Sequence, residues 1–501
     1  MVIPVKNGVH TREDLWSLDV WDPTLLWYAK AMGAMFARPL QDPSSWRYQA
    51  AIHGYIPGEP DLQALLKPGD QIPADSGTYW AQCQHHGWFF LPWHRGYLGY
   101  FERIVRKTIV GLGGPADWAL PYWNYSDTQH NAAVARLVRP EFVAHALPDG
   151  SPNPFSHGVQ RSPFNLVHTP KGQAGDFNVG SKDVRLKCLT YPHFYDHASA
   201  SSFGGGITAF NHGESPNDTS AEGSVEKTPH DNIHGDIGGW MDSFETAGLD
   251  PLFWMHHCNI DRLWSVWAAA AGHSNPADAA WLNPAGPHFP YRFRDENGVS
   301  QTFTPQSVLN TEASPFAYRF QDLNAPPHVA VLAAKLQIPP AVSPAPPPQA
   351  PRLAAASDTD IDLSPEQVSV GLPIDDAAPT INLAAAGGPR QAYLNVENVV
   401  GAGKLETRYV YLNLPDATAP DQDPDLYLGS LPMFGVREMS RGGAAGAGNG
   451  KSFVLNATDV IAHLQQTGHW DGKEVRVYLI AKNPPAPGSK LTAGRLSLYY
   501  R

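Results

Sequence analysis

Two periodicities divide the chain. Through about the first 320 residues apolar positions recur three and four apart, and Leu26, Ala29, Met32 and Phe36 trace one such helix face between Pro23 and Arg38. Asp22 stands where an N-cap belongs, with Pro23 at the first helical position, where a missing N–H costs nothing. Pro-led starts recur in LPWHRGYLGYFERIVRKTIV and DPLFWMHHCNIDRLWSVWAAA, predicting helices over Trp93–Val110 and Asp250–Ala271, with a shorter one over Ser44–His53. From Ala325 to Ala356 prolines and alanines take over, and a second loose stretch runs from Asp358 to Gly388. From Arg390 the runs AYLNVENVV, TRYVYLNL, LYLGSLPMF, EVRVYLIA and GRLSLYYR are strands between turn residues, with one helix at Ala457–Gln466. The pattern predicts a mainly α domain with long loops over residues 1–324, a Pro/Ala-rich linker over 325–389, and a small β-sandwich-like domain over 390–501.

Composition narrows the function. The 501 residues are 42% hydrophobic and 17% charged, the balance of a folded chain with room for two or three domains. With 36 basic against 48 acidic residues and no long basic run, nucleic acid is not an expected partner. No apolar stretch of about 18 residues could span a bilayer, and MVIPVKNGVHTREDLWSLD lacks a signal-peptide pattern, so the expectation is no membrane partner and a cytoplasmic location. Three cysteines, Cys83, Cys188 and Cys258, cannot make a disulfide framework. The glycine-rich RGGAAGAGNGKS has Ala445 where a phosphate loop needs its first glycine, and FVLN follows it where a helix should begin, so it reads as a plain loop. Asn217 and Asn456 open glycosylation-type triplets and read as loop residues. The unusual counts are 21 histidines and 15 tryptophans, of which 18 and 14 lie in the first 300 residues.

Three histidine clusters carry the chemistry. In Pro229-His230-Asp231-Asn232-Ile233-His234, two imidazoles four apart share one helix face and can meet one metal. The HExxH zinc-protease mechanism is closed, because Asp231 stands where the glutamate would be. The Asp250–Ala271 helix contributes His256 and His257, about 100° apart, of which only one can face a given metal. The third cluster is CQHHGWFFLPWHR, with His53 upstream; Pro92 puts His85 in a loop and His94 in the first helical turn. Two sets of three imidazoles without bridging carboxylates exclude a carboxylate di-iron site and suit copper or zinc.

AIHGY, CQHHGWFFLPWHRGYLGYFE, LPYWNYSD, PHDNIHGDIGG and DPLFWMHHCNIDRLW together resemble the coupled binuclear copper proteins: tyrosinases, catechol oxidases and molluscan haemocyanins. The resemblance covers Asp14 to Gln321. It implies a helical bundle holding two copper ions, with dioxygen as co-substrate and a small phenol or catechol oxidised to an o-quinone. It implies His53, His85 and His94 as ligands of the first copper, and His230, His234 and His257 of the second. It further implies a thioether between Cys83 and His85, Glu226 ordering a water near the second copper, and Phe244 as an aromatic gate over that copper. Glu226 through water, or Asp231 directly, is the candidate base. The C-terminal β-domain resembles the shielding domain of latent plant and fungal enzymes, with Tyr318-Arg319-Phe320 closing the catalytic domain and cleavage or acid loosening the lid.

One departure is Asp231, where many monophenol-active relatives carry Asn. It either strengthens proton acceptance or biases the pocket toward cationic amines. The competing readings are a haemocyanin-like oxygen carrier, an o-aminophenol oxidase using the same site, and a zinc protein. A homo-oligomer is compatible with the sequence but not readable from it.

Overall fold

The computed structural model describes residues 8–58, 62–63, 66–127, 136, 138–155, 179–195, 202–210, 212, 221–313, 315–326, 329–330, 351–374, 391–415, 417, 420–441, 449–470 and 472–500. Asp22 caps the Pro23–Ala37 helix by accepting the Thr24 N–H at 2.9 Å, and Asp250 caps Pro251–Ala269 by accepting that of Leu252 at 2.9 Å. A short helix runs over Trp46–His53. The helix expected from Trp93 begins earlier, at Phe90, and runs to Gly111. Pro92 is tolerated there because the first turn needs no N–H from it.

The Phe90–Gly111 and Pro251–Ala269 helices pack on each other and form the centre of the first core, with Phe101 stacked on Trp254 and Trp46 edge-on to both. One carboxylate ties this domain together. Asp261 accepts Arg12 Nη1 at 2.9 Å, Arg95 Nε at 2.5 Å and the Tyr318 hydroxyl, all buried. Arg12 and Tyr318 sit on two strands, His10–Arg12 and Tyr318–Phe320, that pair in parallel and bring the two ends of the domain together.

The second core is a β-sandwich. One sheet orders Tyr427–Leu431, Arg408–Leu412, Glu474–Ala481 and Gln367–Pro373; the other places Ala392–Ala402 between Arg495–Tyr500 and Lys490–Ala493, with Lys451–Asn456 also paired to it. All these pairings are antiparallel, and a helix at Thr458–Gln466 covers one end of the core.

The linker expected over 325–389 needs correction. Arg352–Ala356, Ile361–Asp362 and Gln367–Pro373 are strands of the sandwich. They escape a composition reading because they are short sheet-edge strands, one of them the alanine-rich RLAAA, with six of their fourteen residues exposed. Residues 331–350 and 375–390, and Asn217, lie outside the described residues. No helix among the described residues is long and apolar enough to cross a membrane.

Candidate metal centre

Four helices, a loop and a wide turn carry six histidines into one buried space. His53 ends the Trp46–His53 helix, His85 lies in the loop before Phe90, and His94 is in the first turns of the helix that follows. Their ring centroids stand 5.2 to 5.6 Å apart. His230 sits in a wide turn over Glu226–Asp231 that leads into the Asn232–Ile237 helix bearing His234; His257 comes from Pro251–Ala269. These three rings stand 4.6 to 5.5 Å apart, and His94 stacks on His257 at 4.4 Å, joining the two sets.

Hydrogen bonds decide which nitrogen each ring offers. The Nδ1–H groups of His53, His94 and His234 donate to the carbonyls of Phe244 (2.8 Å), Phe90 (2.8 Å) and Met241 (2.6 Å), and that of His230 to Asp231 Oδ1 (2.8 Å). A ring that donates from Nδ1 carries its lone pair on Nε2. The Nε2 atoms of His53, His85, His94 and His230 are buried with no hydrogen-bond partner among the described residues, and His234 Nε2 faces His257 Nε2 at 3.3 Å. Burial lowers all six pKa values, with neighbouring histidines adding to it for all but His234, and takes His94 and His234 to about 3. Neutral imidazoles with inward lone pairs are what a metal needs, so the residues present fit a pair of copper ions.

The structure is less selective than the resemblance at two points. His256 falls within the same 4.8 Å set of donor atoms as His230, His234 and His257, and His257 also falls in a set with His53 and His94. Cys83 Sγ lies 3.2 Å from His85 Nδ1 and 3.1 Å from His212 Nδ1.

Phe244 is a correction. Its ring stacks on His85 of the first set at 4.5 Å, whereas the sequence reading put it over the second. Its carbonyl holds His53, and the approach is so close that a Cβ on Gly54 would stand 2.3 Å from that oxygen. This tether draws the loop to the first set.

Beside the second set lies a buried acidic group. Glu226 Oε1 accepts the His86 N–H at 2.7 Å, and Glu222, which the sequence reading missed, lies 3.6 Å from His86 Nε2. Burial, then repulsion from Glu222 and Asp231, raises the Glu226 carboxyl; Glu222 is raised by burial but pulled down to about 2 by Lys451, Lys227 and His86. Lys451 comes from the β-sandwich. Its fully buried Nζ donates to Asp231 Oδ2 at 2.6 Å and stands 3.1 Å from Glu222 Oε1.

The sandwich also delivers Phe434, whose ring stacks on His234 at 4.1 Å, meets Phe244 edge-on at 4.6 Å and lies 5.8 Å from His230. The sequence held a signal for Lys451. In KSFVLN it shares the inward register of Phe453 and Leu455, a rare place for a lysine. Phe434 sits in the apolar turn after LYLGSL and has no such signature.

Comparison with known proteins decides the family. Residues 43–270 match the common central domain of tyrosinase, and residues 351–501 match a domain of unknown function. A tyrosinase of Hahella sp. (strain CCB-MM4) is 32% identical over 508 residues, covering 98% of this chain and 99% of that protein. The chain belongs to the tyrosinase family. The (+)-larreatricin hydroxylase of Larrea tridentata is 31% identical over 60% of this chain and 48% of its own length. Among solved structures, a latent aurone synthase superposes with a TM-score of 0.61 at 20% identity, over 100% of this chain and 90% of that one. The latent apple tyrosinase gives 0.57 at 21% identity, over 99% of both. The helical domain plus C-terminal β-domain is thus the fold of latent polyphenol oxidases, and copper-dependent oxidation of phenols is this family's activity. The oxygen-carrier reading is not favoured.

Proposed function

We propose that His53, His85 and His94 hold one copper ion and His230, His234 and His257 a second, in an enzyme that oxidises phenols to o-quinones when its C-terminal domain moves away. The convergence of buried Nε2 atoms, set in His53, His94, His230 and His234 by an Nδ1 hydrogen bond on the far side, carries this assignment. Copper, when bound, supplies the redox chemistry that passes electrons from the phenol to dioxygen.

The protein's residues do the rest. Asp231 orients His230 through Oδ1. Glu226, with Oε2 uncommitted among the described residues, takes the phenol proton through water once opening hydrates it. Phe244 packs the wall beside His85, and Phe434 occupies the space an aromatic substrate needs. Cys83 and His85 are close enough for a thioether; forming the C–S bond would break the S–H and one ring C–H bond in a two-electron oxidation with dioxygen, the co-substrate, as acceptor, leaving the chain two hydrogens lighter and Cys83 inert to alkylation after denaturation.

The test is oxygen uptake and quinone absorbance by the copper-loaded chain, with a monophenol and its catechol offered separately, before and after cleavage between residues 325 and 350. Quinone from both after cleavage establishes a tyrosinase activity, and quinone from the catechol alone a catechol oxidase. Oxygen bound without turnover, even with the lid removed, refutes the proposal.

A further inference from the structure

The closed protein holds two chemically distinct groups of its own against the second histidine set. One is the Phe434 ring on His234; the other is the Lys451 ammonium on Asp231 and Glu222. They belong to one local structure, because Lys451 Nζ also lies 3.4 Å from the Phe434 carbonyl oxygen. The Phe434 ring on His234 and an ammonium held at the same residue's carbonyl oxygen are the two groups that an arylalkylamine carries.

The charges left behind when the lid departs give this outline its force. Glu222, Glu226 and Asp231 face one another from the wall of the site, and the cations opposite them are Lys451 and Lys227. Lys227 is the weaker partner, 3.8 Å from Glu222 Oε2, and its Nζ donates instead to the carbonyl of Val454 at 2.7 Å. His86, the remaining titratable neighbour, is held neutral by burial. Opening the lid therefore removes the nearest cation and frees Lys227 from Val454, leaving one lysine beside three carboxyl groups and room for a second cation that enters with the substrate ring. When the substrate ring displaces water, a carboxylate there carries a desolvation cost that an ammonium in the place of Lys451 offsets, and a second anion would be repelled.

We propose that the opened centre selects phenols and catechols that carry a cationic amine side chain over those that carry a carboxylate, with Glu222 and Asp231 receiving the ammonium where Lys451 sits in the closed form. This rests on the phenol-oxidase reading above and adds the substrate class. The ammonium keeps its charge while the ring is oxidised, so the preference falls on KM more than on kcat.

The experiment uses the copper-loaded full chain activated by limited proteolysis, with dopamine, catechol and hydrocaffeate as substrates. Catechol, without a charged side chain, is the reference. Dopamine should exceed hydrocaffeate by about tenfold or more in kcat/KM, the scale of one charged hydrogen bond. Glu222→Gln should lower the dopamine-to-catechol ratio. Independently of turnover and of that variant's folding, phenylethylamine should bind the cleaved, copper-free protein in calorimetry, and hydrocinnamate should not. If catechol is oxidised but the three substrates lie within about twofold, or if hydrocaffeate is preferred, the amine proposal is overturned and the oxidase reading stands. If no substrate yields quinone, the oxidase reading falls, and the calorimetry alone decides whether the amine site exists.

Discussion

Replacing Lys451 with Met should turn a latent enzyme into a constitutively open one. The lysine is fully buried, with Nζ 2.6 Å from Asp231 Oδ2 and 3.1 Å from Glu222 Oε1, and its ammonium lies over the Phe453 ring at 5.2 Å. Met keeps the aliphatic stem and its packing but strips the cation, leaving two carboxylates buried and unbalanced. Removing one partner of a buried ion pair costs about 3–5 kcal/mol. Because Asp231 and Glu222 belong to one domain and Lys451 to the other, that cost falls on docking, and the closed-to-open ratio should drop by about a hundredfold to a few thousandfold. The assay is the ratio of catechol turnover after cleavage to that before it, large in the parent and near unity in K451M. Lys187→Met is the control. Its partner Asp459 also lies across the interface, but the two side chains are 34% and 41% exposed, and such a pair contributes about 0–1 kcal/mol. K187M should stay latent. If intact K451M is as silent as the parent while its cleaved form is active, the ionic contact does not hold the lid and the reasoning fails.

Gly435→Ala should also open the lid. Gly435 has φ +78°, and an added Cβ would stand 2.6 Å from the Phe244 ring of the other domain, a clash that arises only on docking, so activity of the intact chain should rise by about tenfold; unchanged latency counts against it. Asp261→Asn should lower the melting transition of the helical domain by the equivalent of about 3–5 kcal/mol while leaving that of the β-sandwich in place, since the Arg12, Arg95 and Tyr318 contacts are all internal to the first core; a shared downward shift of both transitions would contradict that partition. Latency should weaken as pH rises, the reverse of the acid loosening that the family resemblance implies. In the closed form Glu438 is pushed up to about 8 by burial and then by Glu245, and Asp242 to about 7 by burial against the opposing Arg437. Raised carboxyls favour the closed form fully below their ordinary values near 4, and that contribution is lost as pH climbs through about 7 to 8. The turnover of intact chain relative to cleaved chain should therefore increase from about pH 5 to about pH 9, and a flat or falling ratio would sink the assignment.

The first core was legible because its signals are local. Asp22 with Pro23, and Asp250 with Pro251, announce helix starts by chemistry that needs no tertiary contact, and the histidine spacings announce candidate metal ligands. What stayed hidden depends on contacts between distant segments. Choosing His257 over His256 required the family resemblance, because both rings reach the same donor set. Phe244 was assigned to the wrong histidine set because its place follows from its carbonyl on His53, nearly two hundred positions away. The strands at 352–373 carry too few buried apolar residues to stand out from Pro/Ala-rich surroundings. Glu222 acquires meaning only when Lys451 arrives from the other domain.

The lid's grip falls on the turn and helix that carry His230 and His234 of the second histidine set, and this would tie closure to copper. Phe434 stacks on His234, Ser430 exchanges hydrogen bonds with Asn232 at 2.9 and 3.0 Å, and Lys482 pairs with Asp236 and, at 2.8 Å, with Asp183. Lys451 holds the far oxygen of the carboxylate that orients His230. A docked lid thus requires His230 and His234 in the rotations that aim Nε2 at a metal, and a bound metal requires the same rotations. Two ligands that select one arrangement stabilise each other reciprocally, typically by about 1–3 kcal/mol, or roughly 5- to 150-fold. Equilibrium competition with a chelator should show tighter copper binding by the intact chain than by the cleaved one. Copper should in turn slow cleavage between the domains by a comparable factor. The reciprocal measurement separates coupling from mere obstruction, because a lid that only blocks the chelator's path would change the rate of copper loss without changing its affinity. Equal affinities in the two forms, with cleavage indifferent to copper, would mean that closure does not sense the ligand rotations.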